Sequence, residues 1–346
     1  MRIGLIGTGR IGAAHAAVLV EHPEVSDLVL TDVDPERARA VATELGVRHV
    51  PDADALLNSQ HVDALVIAAA TDAHTQLLLA SIEAGLPVFC EKPVAPDLPG
   101  TVQVLRAAEH ARARVHIGFQ RRFDAGYARA RAALAAGELG TLHRVHALTC
   151  DPAPPPPAYI PASGGLFRDC HVHDFDAVRW VTGQEVVDVL AHGANRGADY
   201  FHAAGDVDTA VALLRLTDGT LVTVQGSRYN GAGYDVRMEL AGTEASIAVG
   251  LDERLPIISA EPAARFPEGL PWPNFWERFG PAYRAEISAF VDMAAGHRDT
   301  PCGVADALEA LLIAEAAELS RTQGRVVGTA EVRPQAVAGA AKGAQA

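Results

Sequence analysis

The chain has 346 residues, enough for two domains, since single cores stop growing at about 250–300 residues. Its formal net charge of −14 argues against nucleic acid or an anionic membrane as partner, because both select basic surfaces. The four cysteines show no C-x-x-C spacing, the N-terminus lacks the apolar segment of a signal peptide, and no apolar run reaches the ~18 residues of a membrane-crossing helix, so a cytoplasmic protein with reduced thiols is expected.

Residues 3–6 form a short, mostly apolar run that leads directly into Gly7, Gly9 and Gly12, a G-x-G-x-x-G spacing followed by an alanine-rich stretch suited to helix. Gly7 allows the tight turn, Gly9 lets backbone approach a pyrophosphate, and Gly12 lets helix and strand pack closely. The phosphates would sit on the positive end of that helix. A second strand over 28–31 ends in Asp32, about 20 residues past the glycines, where an acidic residue meets an adenosine ribose. Asp34-Pro35 then provides an N-cap and first-turn pair for a helix over 35–45.

Further apolar runs at 64–69, 86–90 and 115–118 alternate with helical stretches at 73–84 and 97–113. Alternation of this kind predicts βαβ units and a parallel sheet, an N-terminal Rossmann domain over 1–118. The pattern then changes. A helix over 124–137 and a strand over 142–149 lead into DPAPPPPAYIPASGG, read as an ordered loop. Residues 166–182 read as a helix, five strand-like segments follow between 185 and 249, and helices at 281–295 and 303–323 close the fold. The fold class is therefore α/β, with a C-terminal α+β domain over 119–330 built on a largely antiparallel open sheet. Residues 331–346 read as a disordered tail. Ligand would lie beyond the carboxyl ends of the parallel strands.

Two elements carry candidate chemistry. The strand over 86–90 ends in Glu91-Lys92-Pro93, which places a lysine at the carboxyl end of a parallel strand. In 167–181, at 3.6 residues per turn, Asp169, His173 and Asp176 fall within an arc of roughly 60°, while Phe175, Val178 and Val181 lie opposite and can pack inward. Oxidation of an alcohol needs a group to take the hydroxyl proton as hydride leaves. Histidine, with an ordinary pKa near ~6.5, suits that task, and a neighbouring carboxylate can orient it. Simpler roles stay open: Lys92 as a surface lysine, Asp169 as a helix cap, Asp176 as a solvated helix residue. His171 and His173 face apart on a helix, so no metal is expected. No G-x-S-x-G elbow occurs. His15, His74 and His116 read as packing or surface residues.

Taken together, GTGRIG (7–12), TDVD (31–34), VFCEKP (88–93), GFQRRFD (118–124), SGGLFRD (163–169), HDFD (173–176), DVDTA (206–210) and GYDVR (233–237) resemble the Gfo/Idh/MocA family, in particular its inositol 2-dehydrogenase branch. The resemblance runs in family order across most of the chain. It implies an NAD(P)-dependent oxidoreductase that oxidises a ring hydroxyl of myo-inositol or a related cyclitol to a ketone. It also implies a homo-oligomer, a dimer or tetramer assembled through the C-terminal sheet. Lys92, Asp169 and His173 would form the catalytic triad, with His173 as general base, Asp169 as its orienting partner and Lys92 as a donor to the reacting oxygen. The cofactor would be held by Gly7, Thr8, Gly9, Arg10, Ile11, Gly12, Asp32, Glu91 and Lys92. The substrate would meet Lys92, Gln120, Asp151, Asp169, His173, Asp176 and Tyr234, with Arg121 and Arg122 near the boundary between cofactor and substrate.

The resemblance is incomplete near the expected pocket. Thr149-Cys150-Asp151-Pro152 stands where relatives commonly read S-R-[DN]-P, Gln120 where many have Asn or Met, and His171 is unusual. These differences bear on the substrate rather than on the reaction type. A sugar dehydrogenase of the same family is the main alternative; a dinucleotide-sensing regulator would have no need of Lys92, Asp169 and His173 together. The Asp32 carboxylate should accept from a ribose hydroxyl and repel a 2′-phosphate, which favours NAD; Arg10 offers nearby positive charge, so NADP stays as the alternative.

Overall fold

The computed structural model describes residues 1–57 and 62–335. They divide into two compact units, residues 1–120 with 281–308, and residues 121–280 with 309–335.

Unit 1 is built from β1 (Arg2–Ile6), α1 (Arg10–Glu21), β2 (Asp27–Thr31), α2 (Pro35–Leu45), β3 (Arg48–His49), α3 (Ala53–Leu57), β4 (Ala64–Ile67), α4 (Thr71–Glu83), β5 (Val88–Glu91), α5 (Leu98–Ala111) and β6 (Val115–Gly118). The sheet order is β3-β2-β1-β4-β5-β6 and every pairing is parallel. The order reverses between β1 and β4, the switch point where such sheets bind ligands. Strands β1 and β4 are fully covered over Leu5 and Ala64–Ile67, as expected of strands buried on both faces. Asp34 caps α2 as its sequence predicts, accepting from the backbone N–H of Glu36 and Arg37. The sixth strand, β3, is two exposed residues with no apolar run to announce it.

The C-terminal helices α10 (Phe275–Ala295) and α11 (Val304–Gln323) each contribute to both units. Ile287, Phe290, Val291 and Met293 of α10 are fully buried in the same core as Ile3, Leu5, Leu19 and Phe89 of unit 1. Burial of side chains of this size stabilises by roughly 1.5–3 kcal/mol each, which anchors the segment there. Residues 281–308 thus belong with the parallel sheet, whereas the sequence reading assigned everything from 119 to 330 to the second domain. Neighbours in sequence need not share a core.

Unit 2 holds α6 (Ala125–Ala135), β7 (Leu142–Cys150), α7 (Ile160–Ser163), α8 (Val172–Thr182), β8 (Val186–Ala194), α9 (Asp199–Ala203), β9 (Thr209–Leu216), β10 (Leu221–Ser227), β11 (Asp235–Gly242), β12 (Ser246–Val249), β13 (Val327–Gly328) and α12 (Thr329–Val332). Its sheet order is β12-β11-β7-β10-β9-β8-β13. All neighbours are antiparallel except β7 and β10, which run parallel with Val145 beside Val222 and Ala147 beside Val224. Strand β9 alternates strictly, with Ala210, Ala212, Leu214 and Leu216 buried and Val211 and Leu213 exposed. The helix expected over 166–182 is two pieces, a π turn at Phe167–His171 followed by α8. Residues 329–332, within and before the expected tail, are helical; residues 336–346 of that tail lie outside the described residues. No helix among the described residues is long and apolar enough to cross a membrane.

Candidate active site

In unit 1 the glycine turn has the geometry its spacing requires. Gly7 has φ of 97°, and a Cβ there would lie 2.6 Å from the Ala68 carbonyl. A Cβ on Gly12 would lie 1.8 Å from the Gly7 carbonyl oxygen, so only glycine permits this approach of helix to strand. Gly9, the N-cap of α1, is different: nothing lies within 4 Å of where its Cβ would be. The first turn of α1 has no side-chain cap and no acidic residue, which leaves a helix N-terminus suited to an anion. Thr8 is buried behind the turn, and Arg10 and Ile11 open the helix. These residues fit a pyrophosphate.

Asp32 is buried, 5% exposed, at the end of β2. Its Oδ2 accepts from the Thr8 N–H at 2.6 Å and hydroxyl at 3.0 Å, and its Oδ1 accepts from the Asp34 N–H at 2.9 Å. Arg37 closes the arrangement with Nε 3.1 Å from Oδ2 and Nη2 2.6 Å from Oδ1. Burial by itself would raise this carboxyl, but Arg37, the Asp34 N–H and Thr8 together hold it at about 2. Arg37, which the sequence reading missed, is the guanidinium paired with Asp32, where the sequence offers Arg10 as the nearby positive charge. Lys92 follows β5 directly, between Glu91 and a cis-linked Pro93. Gln120, at the end of unit 1, is buried.

Unit 2 organises the other candidates around arginines. Asp169, in the π turn, accepts from Arg228 Nη2 at 2.6 Å and from the Tyr159 hydroxyl at 2.9 Å. Arg228 is buried, and its Nη1 also lies 3.3 Å from Asp151 Oδ2 and 2.8 Å from Cys170 Sγ. Asp151 and Asp169 are thereby brought together on one guanidinium. Burial pushes the Asp151 carboxyl up, and Arg228 offsets that only in part. Asp169 thus lies in the π turn and His173 in α8. His173 is half-buried on the first turn of α8.

Asp176 is fully buried in a separate bidentate pair, with Arg122 Nε 2.9 Å from Oδ2 and Nη2 2.6 Å from Oδ1. It is not a solvated helix residue. Beside it in sequence, Asp174 accepts from Thr149 Oγ1 at 2.9 Å, from His171 Nδ1 at 3.1 Å and from Arg121. Burial would raise Asp174, but Arg121 and His171 hold it at about 2. Thus His171 serves a buried carboxylate. Tyr234 is buried, its N–H bonded to the Trp272 carbonyl at 2.8 Å, and burial pushes its phenol up against the pull of Arg121. Phe175, Val178 and Val181 pack inward as expected. The DVDTA acids are used locally: Asp206 Oδ1 accepts from the Leu166 N–H at 3.0 Å, at the entry to the π turn, and Asp208 Oδ2 accepts from the Arg196 and Gly197 N–H groups.

Residues 1–119 match the model of an oxidoreductase family with an NAD-binding Rossmann fold, and residues 127–248 match the GFO/IDH/MocA C-terminal domain. The chain belongs to the GFO/IDH/MocA family. This GFO/IDH/MocA protein is 39% identical to the myo-inositol dehydrogenase Hyg17 of Streptomyces leeuwenhoekii over 94% of this chain and 99% of that one. Among solved structures, a myo-inositol dehydrogenase from Corynebacterium glutamicum matches with a TM-score of 0.87 at 32% identity, covering 95% of this chain and 98% of that one. The scyllo-inositol dehydrogenase of Lactobacillus casei, solved with NAD(H) and scyllo-inositol bound, matches with a TM-score of 0.85 at 28% identity, covering 95% and 99%. The GFO/IDH/MocA protein is accordingly an oxidoreductase with an NAD-binding Rossmann domain.

Proposed function

We propose that this oxidoreductase oxidises a ring hydroxyl of myo-inositol or a related cyclitol to a ketone, with NAD as cofactor. The reaction type rests chiefly on one observation: Asp169 is fixed by Arg228 and Tyr159 in the turn that leads into His173. The cyclitol rests on the similarity to inositol dehydrogenases. When bound, NAD supplies the hydride acceptor. Gly7, Thr8, Gly9, Arg10, Ile11 and Gly12 would hold its pyrophosphate, Asp32 its adenosine ribose, and Glu91 and Lys92 would border it.

His173 takes the proton of the reacting hydroxyl. Asp169 orients that imidazole and stabilises its charged form, and Lys92 donates a hydrogen bond to the same oxygen as it becomes a carbonyl. Gln120, Asp151, Asp176 and Tyr234 bind the remaining hydroxyls. We further propose a cytoplasmic homo-oligomer, a dimer or tetramer, that covers the outer sheet face of unit 2. The exposed Val211, Leu213 and Leu221, 42%, 51% and 61% accessible, support it, and none of the four cysteines is in a disulfide, which accords with a reducing compartment.

The test is a panel of myo-inositol, scyllo-inositol, glucose and galactose with NAD and NADP, followed by nicotinamide absorbance. Turnover of an inositol with NAD above either aldose is the expected result. Faster turnover of an aldose would move the substrate to a sugar, and no turnover of any polyol would end the assignment. Light scattering of the eluted protein reads the oligomer.

A further inference from the structure

Two buried histidines that the reaction above does not use hold the segment carrying Lys92 from both sides. His15, in α1, is fully buried, and its Nε2 lies 2.7 Å from Glu91 Oε1. His74, in α4, is 1% exposed; its Nδ1 lies 2.6 Å from the Pro93 carbonyl oxygen and its Nε2 3.0 Å from the Ala69 carbonyl oxygen. The residue before Lys92 and the residue after it are thus each tied to an imidazole on a different helix.

Neither tie is explained by packing alone. The His15 ring stands edge-on to Phe89 and Tyr283, with centroids 5.4 and 5.9 Å away, contacts that a phenyl ring would make as well. Its Nδ1 is buried without a hydrogen-bond partner, so an imidazole is kept here at the cost of one orphaned nitrogen. What imidazole adds over phenyl is the bond to Glu91. On its other side the Glu91 carboxylate is closed in by Gly118, where a Cβ would lie 3.1 Å from Oε2. His74 joins the end of β4, through Ala69, to Pro93, and so spans two adjacent strand ends of the parallel sheet.

We propose that His15 and His74 are positioning residues for Lys92. They hold the Glu91 carboxylate and the Pro93 carbonyl, so that the Lys92 ammonium is presented in one place, and His15 links that place to the helix whose first turn would meet the pyrophosphate. The inference rests on the reading of Lys92 as a donor to the reacting oxygen. A displacement of about 1 Å in such a group can cost on the order of 100-fold in rate, so small losses of restraint become visible in turnover.

The experiment uses His15→Phe, His15→Gln, His74→Phe and His74→Asn in the full chain, each made with Lys92 present and with Lys92→Ala. It reads kcat and KM with an inositol and NAD, and NAD affinity by quenching of protein fluorescence. With Lys92 present, both Phe variants should lose about 10- to 100-fold in kcat while NAD affinity stays within about twofold, and His15→Gln, which keeps a donor for Glu91, should regain part of the loss. With Lys92→Ala the same substitutions should change the residual rate by less than about twofold, because their route of action is gone. Equal losses in both backgrounds, or unchanged kcat with Lys92 present, overturn the proposal. Where a Phe variant fails to fold, the Gln or Asn variant of that position decides by the same two criteria. A Lys92→Ala enzyme with full turnover would instead remove the assigned role of Lys92, a result distinct from intact histidine variants beside an inactive Lys92→Ala.

Discussion

Asp32 and Asp169 are both carboxylates gripped by an arginine, yet they are assembled in opposite ways. Asp32 takes its guanidinium from Arg37, five residues away, and its other donors from Thr8 and the Asp34 backbone, all within the consecutive run β1-α1-β2-α2. Asp169 takes its guanidinium from Arg228, 59 residues away at the end of β10, and shares it with Asp151 at the end of β7. The first arrangement is mostly local backbone geometry and exists once two strands and a helix have formed. The second exists only when the parallel pairing of β7 with β10 has set the ends of both strands side by side, with Ser227 opposite Cys150. Under the proposed function, the cofactor would be met by a local motif and the substrate by long-range pairing.

The comparison breaks most visibly if chemistry and cofactor binding fail to separate. Lys92→Ala and His173→Ala should each lower kcat by about 10²- to 10⁴-fold while NAD binding, read by fluorescence or calorimetry, stays near that of the parent. A His173→Ala enzyme with parental turnover would remove the general base assigned here. Next in size is Arg228→Met. It leaves Asp169 and Asp151 without their shared cation in a buried setting, and such a loss typically destabilises by about 3–5 kcal/mol. Chemical denaturation should show that loss, together with reduced turnover. Arg37→Met, at a side chain 46% exposed, should show far less.

How much of this was legible follows the same division. The glycine turn, Asp32, the Asp34-Pro35 start of α2 and the alternation of strands and helices were readable because their signals are local: spacing, capping and apolar periodicity. Strand β3 was not, since Arg48 and His49 carry no apolar run, and the placement of α10 was not, since an apolar stripe does not say which core it enters. In the 166–182 helix the inward face of Phe175, Val178 and Val181 was readable from period 3.6, whereas the π turn that breaks this period at 167–171 leaves no mark in composition. Arg122 and Arg228 went unassigned as carboxylate partners because nothing in their neighbourhoods tells which acid a fold will bring to them. An excess of buried acids on a single helix, Asp174 and Asp176 with Asp169 ahead of them, was the available hint that cations had to arrive from elsewhere.

Asp32→Ser sharpens the cofactor half of the comparison. Removing the carboxylate should raise the ratio of NADP to NAD use by about tenfold or more, the scale of one charge-assisted contact, and should leave Arg37 available to a 2′-phosphate. Steady-state rates with both dinucleotides check it; an unchanged ratio would mean that Asp32 serves only to brace Thr8 and Asp34.

The smallest effect tests that bracing directly. The Asp32 carboxyl sits at about 2 against an ordinary 3.8, so its contribution to stability is fully present above the unfolded value and is lost as pH falls through the folded one. Arg37→Met removes one of the groups that hold it down, while the Thr8 and Asp34 donors remain and burial still pushes upward. The folded-state pKa should then rise toward the ordinary value, which narrows the interval and moves acid unfolding, followed by circular dichroism, to higher pH. The gap between variant and parent should persist at neutral pH and close below about pH 2. Coincident acid transitions would show that backbone and hydroxyl donors alone are enough to keep Asp32 charged, and that the arginine is there for the cofactor rather than for the fold.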